Sequence, residues 1–568
     1  MIGLSFNKIV VILIFFVIMA DSSLFAQDIP GSADAGRIQP SLNLDPNFNT
    51  QPSSQSIDKG DINGLIPPDG ADSIMIQLND LQINGVTAYS QSDILPLYSH
   101  YIGQDIPLST IWKIANAITK LYQDDGYFLS RAIIPQQEID DGSVVIQIVE
   151  GYIADVNMQG SRHALSSYIT DQLMNERPLQ FASLESALLR LNDIHGLQYQ
   201  STLRPLPTNL QSDNNAYGVQ LYLTATRENS NATVTLNNYG SRFAGPHRAN
   251  LVYQTSVQNG HLTTLSGLFD TDLGDELWAG TIRHDVNITE TIDIFGSFSK
   301  TISKPGFTLE PNEIISESFA WQLGAAWTPL RQRMQNFTLT GSLNSQDVET
   351  DILGQALTRD YIRTASLNAL LNITEASRAK NIFQLTFTQG LSVFGASDKG
   401  DLNLSRAEAD PNFSKIEFLY QRDQVINNQF LLTGLIQGQK SDSPLFSSQE
   451  FGYGGPHVGR AYDGSEIAGD NGLSALLKIQ YMNMPVKNNL KFIPLAFYDI
   501  GKVWNIDDGQ IDQVSASSAG IGLEFFNQKY NYFGSLGLAV PLTKNIETPI
   551  YGQNNRNPRL SFQLGYKF

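Results

Sequence analysis

The sequence predicts an all-β transmembrane barrel, about 16 antiparallel strands, preceded by two small α/β domains. Three observations carry that reading. An export signal opens the chain, and no comparable apolar run follows it. A mixed strand and helix order repeats over 73–228, and from 229 to 568 short segments alternate apolar with polar residues. Composition agrees: the 568 residues include 45 Gly, 29 Phe and 22 Tyr, with only 16% charged. There is no cysteine, which excludes disulfide frameworks, thiolate zinc sites and cysteine nucleophiles. With 56 acidic against 37 basic residues the net charge is −19, and no nucleic-acid partner is expected, because phosphate binding draws on clustered Lys and Arg.

Residues 1–26 read as a secretory signal peptide, with Lys8 before an apolar run over 9–20 and the small-residue exit Leu24-Phe25-Ala26. The run is shorter than the ~20 residues a spanning helix needs. The mature chain therefore leaves the cytoplasm, either as a soluble protein or as a barrel. Residues 27–72 are rich in Pro, Asp, Asn and Ser, as in Gln39-Pro40-Ser41. They hold no sustained period and too little apolar surface to offset chain entropy, so a mobile periplasmic linker is expected.

The first repeat unit, 73–152, opens with a strand over 74–78 running on to Ile83-Asn84-Gly85. Ser90-Gln91-Ser92-Asp93 offers a capping box for a short helix. Ile111, Ile114, Ala115, Ile118, Leu121 and Tyr122 follow at the spacing of one helix face, broken at Asp124-Asp125-Gly126. Strands over 128–134 and 144–149 flank the turn signal Asp140-Asp141-Gly142. The second unit, 153–228, repeats this: a strand at 156–160, a helix face at Leu184, Ala187, Leu188 and Leu191, then strands over 197–203 and 219–224. Gly126 and Pro135 correspond at equal spacing to Gly196 and Pro205. Two strand–helix–helix–strand–strand modules is the natural reading, and one irregular α/β domain the alternative.

Beyond 229, Phe337, Leu339, Gly341 and Leu343 interleave with Asn336, Thr338, Thr340, Ser342 and Asn344. Ile292, Ile294, Gly296 and Phe298 alternate likewise, as do Ile521, Leu523 and Phe525. A period of two gives one apolar and one polar face. In a sandwich the apolar face meets a second sheet; in a membrane barrel it meets outer-membrane lipid while the polar face lines the interior. Export, glycine and aromatic content favour the barrel. About 340 residues over ~16 strands leaves roughly 21 per strand, enough for a tilted span of ~9–11 residues plus a turn, although 14 or 18 strands fit nearly as well.

No catalytic constellation is present: HExxH, GxSxG and the P-loop are all missing, and the seven histidines show no metal-ligand spacing. The acidic stretch 269–276 reads as a hairpin loop ahead of a calcium site, since it lacks the full EF-hand spacing. No enzyme activity, cofactor or metal is expected.

Two motifs stand out within the alternating region. A glycine-dense loop over 451–472 contains Gly454-Gly455-Pro456-His457-Val458-Gly459-Arg460-Ala461-Tyr462-Asp463. Downstream, Phe497-Tyr498-Asp499-Ile500-Gly501-Lys502-Val503-Trp504 places one acid in an apolar, aromatic strand. An Arg and a carboxylate can pair bidentately in a partly dry lumen; the plainer alternative is a solvated loop cation and a turn acid.

Signal, linker, two modules and a barrel with these motifs resemble the two-partner secretion transporters, the haemolysin secretion/activation proteins of the Omp85 superfamily. By that resemblance the modules look like POTRA domains. Gly459, Arg460, Ala461 and Tyr462 occupy the family's Val-Arg-Gly-Phe/Tyr loop-tip motif, with Gly459 standing for Val and Ala461 for Gly. Phe497, Asp499 and Gly501 look like the interior-strand partner motif, and Arg460 with Asp499 like the pair that latches the loop. Ala461 at the glycine position is expected to change the turn, since Ala tolerates positive φ poorly. Phe562, Tyr566 and the terminal Phe568 resemble the signal read by the barrel-assembly machinery. The N-terminal plug helix of some members has no counterpart pattern in 27–72. The resemblance implies secretion of a large exoprotein with an N-terminal secretion domain; a barrel-assembly insertase and a passive porin or adhesin are the alternatives.

Overall fold

The structure, a computed structural model, describes residues 30–38, 65–139, 141–207, 218–227, 230–271, 275–506, 513–527, 529–544 and 557–568. The signal-peptide reading of 1–26 and the linker reading of 27–29 and 39–64 fall outside the described residues.

In the first module the strand expected from 74 to 85 divides in two. Met75–Gln77 (β1) pairs with Asp105–Pro107 (β3), while Asp80–Asn84 (β2) joins a separate sheet with Arg131–Ile133 (β4) and Ser143–Val149 (β5), in the order β2-β5-β4. Between them lie Gln91–Ile94 (α1), whose Ser90 cap donates its N–H to the Asp93 carboxylate at 2.9 Å, and Ser109–Asp124 (α2). Helix α2 buries Ile111, Ile114, Ala115, Ile118 and Tyr122 in one cluster with Val144, Ile146 and Ile148 of β5. That face is the predicted stripe, and burial of such side chains contributes roughly 1.5–3 kcal/mol each.

The second module comprises Tyr152–Gly160 (β6), Ala164–Asn175 (α3), Phe181–Asn192 (α4), Leu197–Pro205 (β7) and Gly218–Arg227 (β8), with sheet order β6-β8-β7. In both sheets the last strand in sequence is central, parallel to the first and antiparallel to the second. The repeat read from spacing is thus a repeat of topology. Helix α3 carries no stripe that the sequence reading used: it buries Ile169 and Leu173 but exposes Tyr168.

Sixteen strands then close on themselves. They are Ser230–Asn237 (β9), Arg248–Thr255 (β10), His261–Asp270 (β11), Leu277–Asn287 (β12), Ile292–Ser303 (β13), Ile315–Arg331 (β14), Gln335–Ile352 (β15), Gln355–Thr374 (β16), Ala379–Gly390 (β17), Ser414–Ile426 (β18) and Phe430–Ser441 (β19). A long loop carries the small hairpin Phe451–Tyr453 (β20) and Ile467–Gly469 (β21). Asn471–Tyr481 (β22), Leu490–Trp504 (β23), Gln513–Asn527 (β24), Tyr532–Pro541 (β25) and Arg559–Lys567 (β26) complete the cylinder, β26 pairing with β9. All sixteen pairings are antiparallel, as expected.

Alternation sorts the wall into two faces. Ile294 and Phe298, Leu323 and Trp327, and Leu536, Leu560 and Leu564 are exposed on the outside. Ser316, Ser318, Ser345 and Asp499 are buried on the inside. A closed sheet that exposes Leu, Ile, Phe and Trp outward and buries polar groups inward is a cylinder bathed in hydrocarbon. Among the described residues no helix is long and apolar enough to cross a membrane, so the crossing is made by strands. Of the 269–276 stretch, residues 272–274 lie outside the described residues; Asp270 ends β11 and Leu277 opens β12, and no group of three potential metal ligands occurs among the described residues.

Candidate functional site

The loop over 442–470, between β19 and β22, folds back into the barrel instead of standing in solvent. Val458, Ala461, Tyr462 and Asp463 at its tip are all buried. Glycine makes the fold-back possible. Gly459 has φ +83°, and a Cβ there would sit 2.9 Å from both Gly454 Cα and the Tyr453 ring. The expected disturbance at Ala461 does not arise, because the left-handed residue of the tip is Gly459 and Ala461 is not among the positive-φ residues. On the wall strand β23, Gly501 leaves space for the Tyr453 ring, which a Cβ would approach to 2.2 Å.

Asp499 lies two residues before Gly501 on the same inward face and is fully buried. Its Oδ2 accepts the backbone N–H groups of Gly459 and Arg460, each at 3.1 Å, and the Ser518 hydroxyl at 3.3 Å. The Arg460 guanidinium stands over the Phe497 ring at 4.2 Å and donates through Nε to the Pro456 carbonyl at 3.2 Å. Its Nη1 approaches Asp499 Oδ1 to 3.8 Å. The pair expected to be bidentate is therefore a looser ionic contact. The carboxylate spends one oxygen on loop backbone, and the cation is held by an aromatic face. Tyr462 completes the tip by donating its hydroxyl to the Ser517 carbonyl of β24 at 3.0 Å.

Asp463, next along the tip, divides its two oxygens. Oδ2 accepts from Arg242 Nε at 2.6 Å, just past β9, and Oδ1 accepts from Arg559 Nη1 at 3.0 Å, at the start of β26. These flank the seam where the last strand meets the first, and only five residue pairs are in register there, Gln563↔Asn237 to Lys567↔Thr233. Arg559 also bonds the Gly240 carbonyl at 3.0 Å, and Arg242 reaches Glu466 at 2.8 Å. All three charged groups of this clamp are buried, so the cations and the acid depend on one another. Arg242 and Arg559 were not singled out from sequence; an inward-position Arg in the last strand was the available signal.

A second network reaches the N-terminal segment. Asp470 pairs with Arg406 of the β17–β18 loop and accepts the N–H groups of Leu445 at 2.7 Å and Ile506 at 2.8 Å. Arg406 reaches Glu450 at 3.1 Å, and Glu450 in turn pairs with Arg37. Residues 30–38 thus depart from the linker reading. They are seated within the barrel, where the Gly36 carbonyl accepts from Gln346 Nε2 at 2.8 Å and the Ile38 carbonyl from Thr301 at 3.1 Å. Ile38 packs with Ala244, Leu268, Leu277 and Ala279. The physical reason is local polarity. A Gly- and Ala-rich turn with one Asp and one Arg buries little apolar area alone but fits a lumen already lined by amides and hydroxyls.

Profiles of known families match this chain in two places. Residues 76–151 match the POTRA domain, ShlB-type, and residues 289–525 match the haemolysin secretion/activation protein ShlB/FhaC/HecB. Both matches point the same way: over these two regions the chain is similar to the haemolysin secretion/activation proteins, the two-partner secretion transporters. Members of this family are secretion channels and not an enzyme class. The heme/hemopexin transporter protein HuxB of Haemophilus influenzae is 23% identical over 481 residues, covering 80% of this chain and 81% of its own. The outer membrane transporter CdiB of Escherichia coli is 22% identical over 439 residues, covering 71% and 68%. In solved structures, CdiB from Escherichia coli superposes with a TM-score of 0.68 at 17% identity over 89% of this chain and 92% of its own, which shows the fold. The protein is an outer-membrane transporter of the two-partner secretion type, with its α/β modules in the periplasm. The barrel end nearest the modules is accordingly periplasmic, and the long loop, Asp463 clamp and 30–38 segment occupy the extracellular half of the lumen.

Proposed function

We propose that the protein captures one large unfolded exoprotein in the periplasm through its POTRA-like modules and exports it through the barrel. The observation that carries this reading is how the lumen is closed. The long loop and residues 30–38 fill it through side-chain and backbone contacts, not through strand pairing with the wall, so they can withdraw while the sixteen-strand ladder stays intact. Arg460 and Asp499 latch the loop at rest, with Gly459, Ala461 and Tyr462 shaping the tip and Phe497 and Gly501 shaping its seat. The outer strands of the module sheets, β2, β4, β6 and β7, offer backbone edges to which an extended chain can add. No nucleotide is available in the periplasm, so folding of the cargo outside supplies direction. The exposed Tyr566 and Phe568, with Phe562 on the same strand, present the assembly machinery with its signal, after which the outer face settles into lipid.

Gene deletion tests this. One large exported protein is expected to vanish from the culture supernatant and accumulate in the periplasm. A general loss of outer-membrane barrels would assign the protein to barrel assembly instead, and an unchanged supernatant would remove the secretion reading.

A further inference from the structure

The second module does not merely sit beside the barrel. Arg190, in the last turn of α4, donates to the carbonyls of Glu290 at 2.8 Å on the β12–β13 turn, and of Thr328 at 3.3 Å and Pro329 at 3.1 Å near the periplasmic end of β14. Asp193 pairs with Arg331 at 2.6 Å, and the His195 N–H is accepted by Asn287 Oδ1 at 2.9 Å. This junction leaves two cavities. One, of about 530 Å³, runs between α3 and α4 past Gln172, Glu176, Ser183 and Ser186. The other, of about 520 Å³, lies at the lumen mouth and is lined by Asn287, Asp293, Thr328, Thr338 and Asn372 with His195 opposite. Arg190, Glu290 and Thr291 line both cavities, so the two meet at the Arg190 side chain.

The chemistry of the lining points to its occupant. By strand alternation, Thr338 and Asn372 lie on the polar face that continues up the lumen, opposite the exposed Leu343 and Leu367. Amides and hydroxyls of this kind satisfy peptide N–H and C=O groups without demanding a particular side chain. Neither sign of charge dominates, since Arg190 and Arg331 face Asp193, Asp293 and Glu290. His195 Nε2 is buried and has no hydrogen-bond partner among the described residues. A buried polar atom of that sort is costly to leave unmet, and the cavity beside it is where a partner would come from.

We infer that this channel, from the α3–α4 groove past Arg190 to the lumen mouth, is the path by which the extended exoprotein enters the barrel. The inference rests on the secretion reading above and specifies its route: cargo that first adds to a module sheet edge passes along the helices of the second module, not along its sheet, to reach the pore. Arg190 is a positioning residue that holds the module on the rim and separates the two cavities at rest.

The absence of cysteine allows a direct test in the full-length protein. The probe is an N-terminal fragment of the exported protein identified by its loss from the supernatant on gene deletion, carrying one cysteine and a tightly folded C-terminal fusion that stalls it in transit. Single variants Ser186→Cys in the groove, Thr338→Cys at the mouth and Ser342→Cys within the lumen are oxidised against it. Disulfide adducts at all three positions are expected. Adducts at Ser342→Cys without any at Ser186→Cys or Thr338→Cys would overturn the route while leaving secretion standing. No adduct at Ser342→Cys would overturn secretion through the lumen, and the route with it. Filling the groove gives an independent readout: Ser186→Trp is expected to reduce secretion several-fold at unchanged surface abundance and heat-modifiable migration. Full secretion by that variant would also reject the route.

Discussion

Asp499 shows how much a single side chain organises. A conventional ion pair would make Arg460 the essential partner, yet the carboxylate is bonded to loop backbone and meets the guanidinium only at 3.8 Å. Asp499→Ala is therefore expected to free the loop more fully than Arg460→Ala, because it leaves the buried Gly459 N–H and the half-buried Arg460 N–H unmet, at up to about 1–3 kcal/mol each. Protease or thiol access to the tip measures this; both variants should insert normally and secrete poorly. Wild-type secretion by Arg460→Ala at equal surface abundance would remove the latch role. Asp463 presents the stronger case for stability. Its removal takes from the buried Arg559 its one carboxylate partner among the described residues and leaves the buried Arg242 with Glu466 alone, so Asp463→Ala should cost about 3–5 kcal/mol and lower the temperature of the heat-modifiable gel shift. Arg460, Asp499 and Tyr462 were legible because they sit in local motifs. Arg242 and Arg559 were not, because what unites them is a carboxylate more than 90 residues away from either in sequence.

Among the elements, those with a strong period were the ones read correctly. Helix α2 carries a regular apolar stripe, and the barrel strands alternate, so each announces its buried face. Helix α3 and the split of β1 from β2 escaped because short, weakly periodic segments depend on what packs against them. The β5–β6 junction shows a polar device of the same kind. Glu150 accepts the N–H groups of Thr87 at 2.8 Å and Ala88 at 3.0 Å, and the Tyr122 hydroxyl at 2.7 Å. Burial works to raise its pKa, but hydrogen bonds from Thr87, Tyr122 and Ala88 outweigh that and hold the group below the ordinary carboxylate value. A depressed acid stabilises the fold above its unfolded pKa and ceases to do so as pH falls through the folded one. The first module should accordingly lose stability on acidification, and Glu150→Gln should flatten that dependence. Thermal unfolding of the periplasmic modules in the full-length protein, followed from neutral pH downward, checks both.

For the whole molecule, the telling feature is a lumen closed by two segments that are distant in sequence. Residues 30–38 and the long loop meet through Arg37, Glu450, Arg406 and Asp470, so displacing one weakens the seat of the other. Deleting 30–38 from the mature protein is expected to raise single-channel conductance while leaving barrel assembly unchanged; equal conductance would show that the segment does not obstruct the path. The outer surface, the repeat of modules and the membrane crossing were already written in local order. Hydrophobic period, glycine and aromatic content act over ten residues or so and need no knowledge of distant partners. Closure at sixteen strands, the insertion of 30–38, the clamp on the seam and the channel beside Arg190 were settled only on folding. Each depends on which inward side chains meet across the lumen or at the rim, and a period of two says that a residue faces inward without saying what it faces.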